Sequence, residues 1–346
     1  MMKIAVFGAG SIGVYVGASL MAAGADVVLI GRKAMATRIA AEGVALTDLH
    51  GGEVRLDGGG IPFSEDPSAL AGAGLVLVTV KSADTRAAAL AINSHATPEA
   101  LVLSLQNGIG NADILKEVLS GHKVIGGMVP FNVVQMPGNR FHRGTEGEVM
   151  VAASASLSPW LDVFRAARVP LVERQDFLAV QWGKLLLNLN NPVNALSGLP
   201  LKSELSQRAY RRCLALLIDE ALEVLKTAGI KPAKVARIGP HLLPRLLRLP
   251  DFLFTRIAAA MLRIDPEARS SMWEDMQAGR KTEIDYLNGA VVRLAVSVGR
   301  KAPANERIVA LIHIAEQQRE LALDGKGLLD ALKTGAPTLV QSGSLH

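Results

Sequence analysis

The sequence predicts two domains: an α/β N-terminal domain with a doubly wound, mostly parallel sheet over residues 1–175, and an all-α domain over residues 176–334. Three observations carry this. Short apolar runs alternate with helical stretches through the first half, a glycine-rich turn joins the first run to the first helix, and the strand pattern ceases from about Asp176. A chain of 346 residues is long enough for two cores. Residues 335–346 read as a loose tail.

Lys3–Phe7, Asp26–Ile30, Leu75–Val80, Leu101–Leu105 and Val124–Val129 read as strands, each rich in Val, Ile or Leu and bounded by Gly, Asn or Ser. Helical spacing occupies Ile12–Ala23 and Ala83–Asn93 between them, and Gly51–Pro62 reads as turns with short hairpin strands. Beyond Asp176 helices are predicted over Phe177–Leu189, Arg208–Ala228, Leu253–Leu262, Ser270–Gly279 and Asn305–Leu323. Another is predicted over Thr282–Val298, where Ile284, Leu287, Val291, Leu294 and Val298 form one apolar stripe.

Hydrophobic residues make up 49% of the chain and aromatics only 4%, so the cores are built from Ala, Val, Leu and Ile. The lone Cys213 excludes an intrachain disulfide and a thiolate metal cage, which agrees with a cytoplasmic protein. The seven histidines show no paired spacing, so no metal site is expected. The net charge of +5 is not interleaved with aromatics, which argues for small anionic ligands over nucleic acid. From Ile4 to Ala25 the chain is uncharged, but five glycines interrupt the run, and a strand–helix–strand start explains it better than a signal peptide or membrane span.

Gly8-Ala9-Gly10-Ser11-Ile12-Gly13 is a G-x-G-x-x-G placed between a strand and a helix, the signature of a dinucleotide-binding Rossmann domain. Its glycines allow a tight turn and close backbone approach to a pyrophosphate. The helix start at Ser11 and Ile12 offers free N–H groups to the phosphates. At the end of the second strand stands Arg32, followed by Lys33, where an NAD site would carry an acid. A planar guanidinium suits a 2′-phosphate, so the cofactor is expected to be NADPH/NADP. Lys81 and Asn107 follow two further strands and are placed at the same crevice, although either could serve as a strand cap.

Lys184 and Asn188 share one face of the helix Trp182–Asn188, within apolar sequence. Two readings stay open for the lysine: it snorkels to solvent, or it is a desolvated proton donor with a lowered pKa. Ser271 and Asp275 are four apart on another helix, and Glu283 opens the next, with capping and surface charge as the alternative reading.

The N-terminal GAGSIG, VTVK ending at Lys81, QNGIG (Gln106–Gly110), WGKLLLN (Trp182–Asn188) and SSMWEDMQAGRKTEIDYLNG (Ser270–Gly289) together resemble the ketopantoate reductase family, the 2-dehydropantoate 2-reductases. The resemblance runs in order from residue 1 to about 320. It implies a helical domain like the C-terminal domain of 6-phosphogluconate dehydrogenase, and NADPH-dependent reduction of 2-dehydropantoate to (R)-pantoate, on the route to pantothenate and coenzyme A. It further implies that Lys184 is the general acid, that Glu283 binds the substrate hydroxyls and that Arg32 holds the 2′-phosphate. By the same resemblance Lys81 lies near the cofactor, Asn107 lies between nicotinamide and substrate, and Asn188, Ser271 and Asp275 lie on the substrate side.

There are departures. Position 192 is Pro192 where a second asparagine is expected, so Asn191 is taken as a substrate contact with Asn190 and Asn194 as alternatives. Met128–Asn132 and Ile238–Arg269 also diverge from the family pattern. They bear on the choice of 2-oxo acid more than on the reaction. A reductase of another 2-oxo acid, a β-hydroxyacid dehydrogenase and a non-catalytic NADPH-sensing regulator are the rival readings. A small-molecule 2-oxo acid is the expected partner, with a homodimer permitted by the apolar helical half and neither nucleic acid nor membrane expected.

Overall fold

In the computed structural model, which describes residues 2–234, 238–257, 268–318 and 322–334, Lys3–Phe7 (β1) lies inside an eight-stranded sheet. Along the chain follow β2 (Val27–Ile30), β3 (Val44–Asp48), β4 (Glu53–Leu56), β5 (Phe63–Ser64), β6 (Ala73–Val78), β7 (Leu101–Ser104) and β8 (Lys123–Met128). Then come β9 (Val133–Met136), β10 (Arg140–Arg143), β11 (Val149–Ala152) and β12 (Leu171–Arg174). The large sheet has the order β12-β11-β8-β7-β6-β1-β2-β5, parallel throughout except for the antiparallel pairing of β8 with β11.

Every residue of β2 and β7 is buried, as strands covered on both faces must be, and each such Leu, Ile or Val contributes about 1.5–3 kcal/mol. The chain leaves β1 towards β2 and later returns to β6 on the other side. The order therefore reverses at β1, and that reversal opens a crevice at the carboxyl ends of the strands.

The helices of this first unit are α1 (Ser11–Ala22), α2 (Lys33–Glu42), α3 (Thr85–His95), α4 (Asn111–Val118) and α5 (Ser158–Ala166). The structure adds a separate four-stranded sheet, β4-β3-β10-β9, that the sequence pattern does not announce as a unit. Its strands are short and carry charged or polar residues such as Glu53, Arg55, Arg140 and His142, which hide the apolar alternation. Phe141 on β10 is fully buried and ties this sheet into the main core.

The chain divides into two compact units between Val180 and Gln181. That point lies within α6 (Phe177–Asn188), five residues beyond the boundary expected from the sequence. The second unit continues with α7 (Asn191–Ser197), α8 (Leu201–Ser206), α9 (Arg208–Thr227), α10 (Leu243–Leu247) and α11 (Asp251–Ile257). It ends with α12 (Ser271–Gln277), α13 (Asn288–Ser297), α14 (Pro303–Gln318) and α15 (Gly325–Thr334). The buried stripe of α9, including Leu214, Leu217, Ile218, Ala221 and Leu225, forms its core.

One expectation is corrected here. Thr282–Val298 is not a single helix but a 3-10 turn over Ile284–Tyr286 and then α13, broken at Leu287 with φ −102° and ψ −94°. Buried Asn288 bonds Asn305 at 3.0 Å just after the break, a long-range contact that local periodicity does not encode. The expected tail, residues 258–262 of the expected Leu253–Leu262 helix and residues 319–321 of the expected Asn305–Leu323 helix lie outside the described residues.

Candidate active site

Gly8 follows β1 with φ +118°, a conformation closed to residues with a side chain, and a Cβ there would meet the Val80 nitrogen at 2.5 Å. A Cβ on Gly13 would meet the Gly8 oxygen at 2.1 Å, so helix and strand pack directly against each other. The same loop is sealed by Thr79, whose hydroxyl donates to the Gly8 carbonyl at 2.7 Å. Gly10 differs: among the described residues a Cβ there meets nothing within 4 Å. Gly10 is also the N-cap of α1, and no side chain caps that helix. An open face beside uncapped N–H groups of the first turn, around Ser11 and Ile12, fits a diphosphate. The residues present thus suit a dinucleotide.

Arg32 is the N-cap of α2, directly after β2 and Gly31. Its guanidinium is exposed and lies 3.9 Å from Asp84, which sits in the short turn after Lys81. Lys81 itself is exposed.

Asn107 follows β7 and is half-buried. Its backbone carbonyl accepts the Ser82 hydroxyl at 3.0 Å and the Asn111 amide at 2.6 Å. Behind it, Thr85 donates to Asn111 at 2.9 Å, and Gln106 donates to Thr85 at 2.7 Å and to the Val80 carbonyl at 3.1 Å. This buried network fixes the ends of β6 and β7 relative to each other. Of its members Gln106 and Asn107 stand in a motif noted above. The signal for Asn111 and Thr85 was a polar residue at the first turn of a helix, which capping explains equally well.

In the second unit α6 carries Lys184 and Asn188, both half-buried. Burial lowers the Lys184 pKa from 10.5 to about 8, and the charge of Glu283 opposes that shift. That lowered pKa agrees with desolvation of the ammonium. Glu283 stands just before the 3-10 turn Ile284–Tyr286. That turn is held by the neighbouring Thr282, whose N–H donates to Glu316 of α14 at 2.8 Å and whose hydroxyl accepts the Ile284 N–H at 3.3 Å.

On α12, Ser271 is exposed, whereas Asp275 is buried and paired with Arg280 at 3.0 Å. The preceding Ser270 is the N-cap, accepting the Trp273 N–H and donating to the Asn191 carbonyl at 3.2 Å. Asn194 is fully buried and accepts the Ser270 N–H at 2.8 Å. Asn190 is also buried, leaving Asn191 the most accessible of the three asparagines. Sequence reasoning missed Ser270 and Glu316, whose roles depend on partners distant in the chain, and Arg280, which pairs with Asp275 five residues before it. Among the described residues no group of three or more His, Cys, Asp or Glu is gathered as for a metal ion, and no helix is long and apolar enough to cross a membrane.

The chain has counterparts among known proteins. Residues 4–156 match the family model described as ketopantoate reductase PanE/ApbA, and residues 176–316 match its C-terminal counterpart. The 2-dehydropantoate 2-reductase of Pyrococcus abyssi is 30% identical over 331 residues, covering 94% of this chain and 100% of that protein. A PanE/ApbA family ketopantoate reductase from Ralstonia eutropha superposes with a TM-score of 0.78 at 32% identity, over 92% of this chain and 99% of that one. A D-mandelate dehydrogenase in ternary complex with NADH and anilino(oxo)acetate shares the fold, with a TM-score of 0.75 at 20% identity over 92% and 99%.

Proposed function

Because this chain belongs to the ketopantoate reductase family, we propose that it reduces 2-dehydropantoate to (R)-pantoate with NADPH, Lys184 supplying the proton. The observation that carries the reading is the lowered Lys184 pKa beside Glu283. At about 8 the ammonium is still mostly charged at neutral pH, yet acidic enough to protonate a developing alkoxide.

When bound, NADPH supplies the hydride. Gly10 and the first turn of α1 at Ser11 and Ile12 hold the pyrophosphate, Gly8 and Gly13 set the turn, and Arg32 holds the 2′-phosphate. Lys81 adds positive charge near the phosphates. Asn107, its backbone fixed by Ser82 and Asn111, orients the nicotinamide and the substrate carbonyl. Lys184 donates to the carbonyl oxygen and transfers its proton as charge builds there. Glu283 accepts a hydrogen bond from the substrate hydroxyl and keeps the lysine protonated. Asn188, Asn191, Ser271 and Asp275 complete the substrate side, with Ser271 near the carboxylate.

A homodimer in the cytoplasm is part of this reading. It is supported by the lone Cys213, by Phe252 and Ile257 exposing apolar surface on α11, and by a neighbour of the same fold described as a dimeric ketopantoate reductase. Steady-state rates with NADPH and 2-dehydropantoate or 2-oxoisovalerate, and with NADP and 3-hydroxyisobutyrate, test the assignment. A clear preference for 2-dehydropantoate is expected. Preference for either other acid overturns the substrate, and no turnover with any of them overturns the reaction.

A further inference from the structure

Glu204 on α8 is fully buried and has no part in the chemistry above. Its Oε2 accepts the side-chain amides of Asn190 at 3.2 Å and Asn194 at 3.0 Å. Among the described residues its Oε1 is buried with no partner, and so is Oδ1 of the same Asn190. Two buried acceptors facing no donor, on two side chains that already share a bond, is an arrangement folded proteins avoid. A single proton resolves both. A carboxylic acid and a primary amide pair through two bonds at once, N–H to carbonyl and O–H to carbonyl, and the first of these is already made.

We propose that Glu204 is a protonated carboxylic acid whose Oε1–H donates to Asn190, and that this clamp positions the substrate-side residues of α7 and α12. Burial raises its pKa from 4.5 to about 8, with the two asparagine hydrogen bonds opposing. The titratable groups facing it from α9 are the Tyr210 phenol and the Cys213 thiol, both pushed up to about 12 by burial and so neutral. The Arg211 guanidinium bonds the neighbouring Leu205 carbonyl, but its charge is matched by Asp251 at 2.8 Å. Among the described residues no cation is left in this cluster to favour the ionised form.

The clamp reaches the site through Asn194. With its amide nitrogen held by Glu204 and by the Leu199 carbonyl at 2.9 Å, Asn194 must turn its oxygen to the Ser270 N–H. Ser270 caps α12 and bonds Asn191, so Glu204 sets the start of the helix that bears Ser271 and Asp275. Glu204 acts through these residues and is a positioning group.

The sign of the pH effect follows from the raised pKa. The unfolded chain releases the Glu204 proton near 4.5 and the folded chain near 8, so wild-type stability declines as pH rises through that window. Glu204→Gln supplies a permanent N–H in place of the O–H and removes the decline. It should melt within about 2 °C of wild type at pH 5 and about 5 °C higher at pH 8. Difference infrared spectra at pH 7 should show a protonated carboxyl band in wild type that Glu204→Gln lacks. A melting difference independent of pH, or the absence of that band, overturns the protonated acid.

Only the catalytic consequence rests on the reductase reading. Glu204→Ala should raise the KM for the oxo acid by about tenfold, with kcat and the NADPH KM changed less than about threefold and Glu204→Gln restoring wild-type KM. An unchanged KM in Glu204→Ala overturns the positioning role. If Glu204→Ala does not fold, a raised KM in Glu204→Gln overturns that role and a wild-type KM supports the amide as a working substitute. Absence of any oxo-acid reduction in wild type would sink the functional reading while leaving melting and infrared to decide Glu204.

Discussion

Glu283 raises the pKa of Lys184 while burial lowers it, and burial wins, leaving the lysine at about 8. The pair therefore holds a proton that is retained at neutral pH and released readily. Lys184→Ala removes the donor and should lower kcat by about 10²- to 10⁴-fold, the usual worth of general acid catalysis. NADPH affinity, measured by fluorescence titration, should change less than about threefold, since the cofactor residues lie on other elements. A parallel loss of NADPH binding would contradict a role in proton transfer.

The same balance predicts the pH profile. With Lys184 as the proposed proton donor, kcat/KM should fall as pH rises through about 8. In Glu283→Gln the opposing charge is gone and burial acts alone. The alkaline limb should then move to lower pH, whatever happens to substrate affinity. A limb that stays in place or moves upward would show that some other group controls it.

Much of this was legible in the sequence. The glycine loop, Arg32, Lys81 and Asn107 all sit beside strand ends, and strands such as β2 and β7 announce themselves as uninterrupted apolar runs. Lys184 stood out because it interrupts apolar sequence. The four-stranded sheet did not, because Glu53–Leu56 and Arg140–Arg143 have charged faces and depend on partners far apart in the chain, as in the pairing of Ala45 with Arg140. Glu204, Asn190 and Asn194 were equally hidden: a glutamate in a short helix reads as surface until its burial is known. The break at Leu287 was missed because the apolar stripe continues across it while the Asn288–Asn305 bond does not show in local spacing.

Two glycines of one motif should fail in different ways. Gly13→Ala places a Cβ about 2.1 Å from the Gly8 carbonyl, a backbone contact that cannot move aside, so the protein itself should be destabilised. Gly10→Ala meets nothing among the described residues, and its φ of −85° and ψ of −171° suit alanine. That variant should keep its melting temperature and lose NADPH affinity, because the methyl group stands where the pyrophosphate approaches. Thermal melting alongside cofactor titration separates the two. A Gly10→Ala protein that binds NADPH as wild type does would remove the loop from the phosphate site.

Arg32 and Asp84 frame the last expectation. Their charges are 3.9 Å apart, with side chains 84% and 55% exposed, so water screens the pair and a phosphate can displace the aspartate at little cost. A 2′-phosphate offers more charge and a bidentate partner for the guanidinium. Arg32→Ala should raise the KM for NADPH by about 10- to 100-fold, the range of a charged hydrogen bond, and leave the KM for NADH within about threefold. Asp84→Ala removes the competitor, so NADPH should bind a few-fold more tightly and the gain should shrink as salt is raised. The ratio of the two cofactor KM values, measured for both variants, is the discriminating quantity. Equal losses for NADPH and NADH in Arg32→Ala would mean that the guanidinium grips the shared pyrophosphate, and would overturn its assignment to the 2′-phosphate.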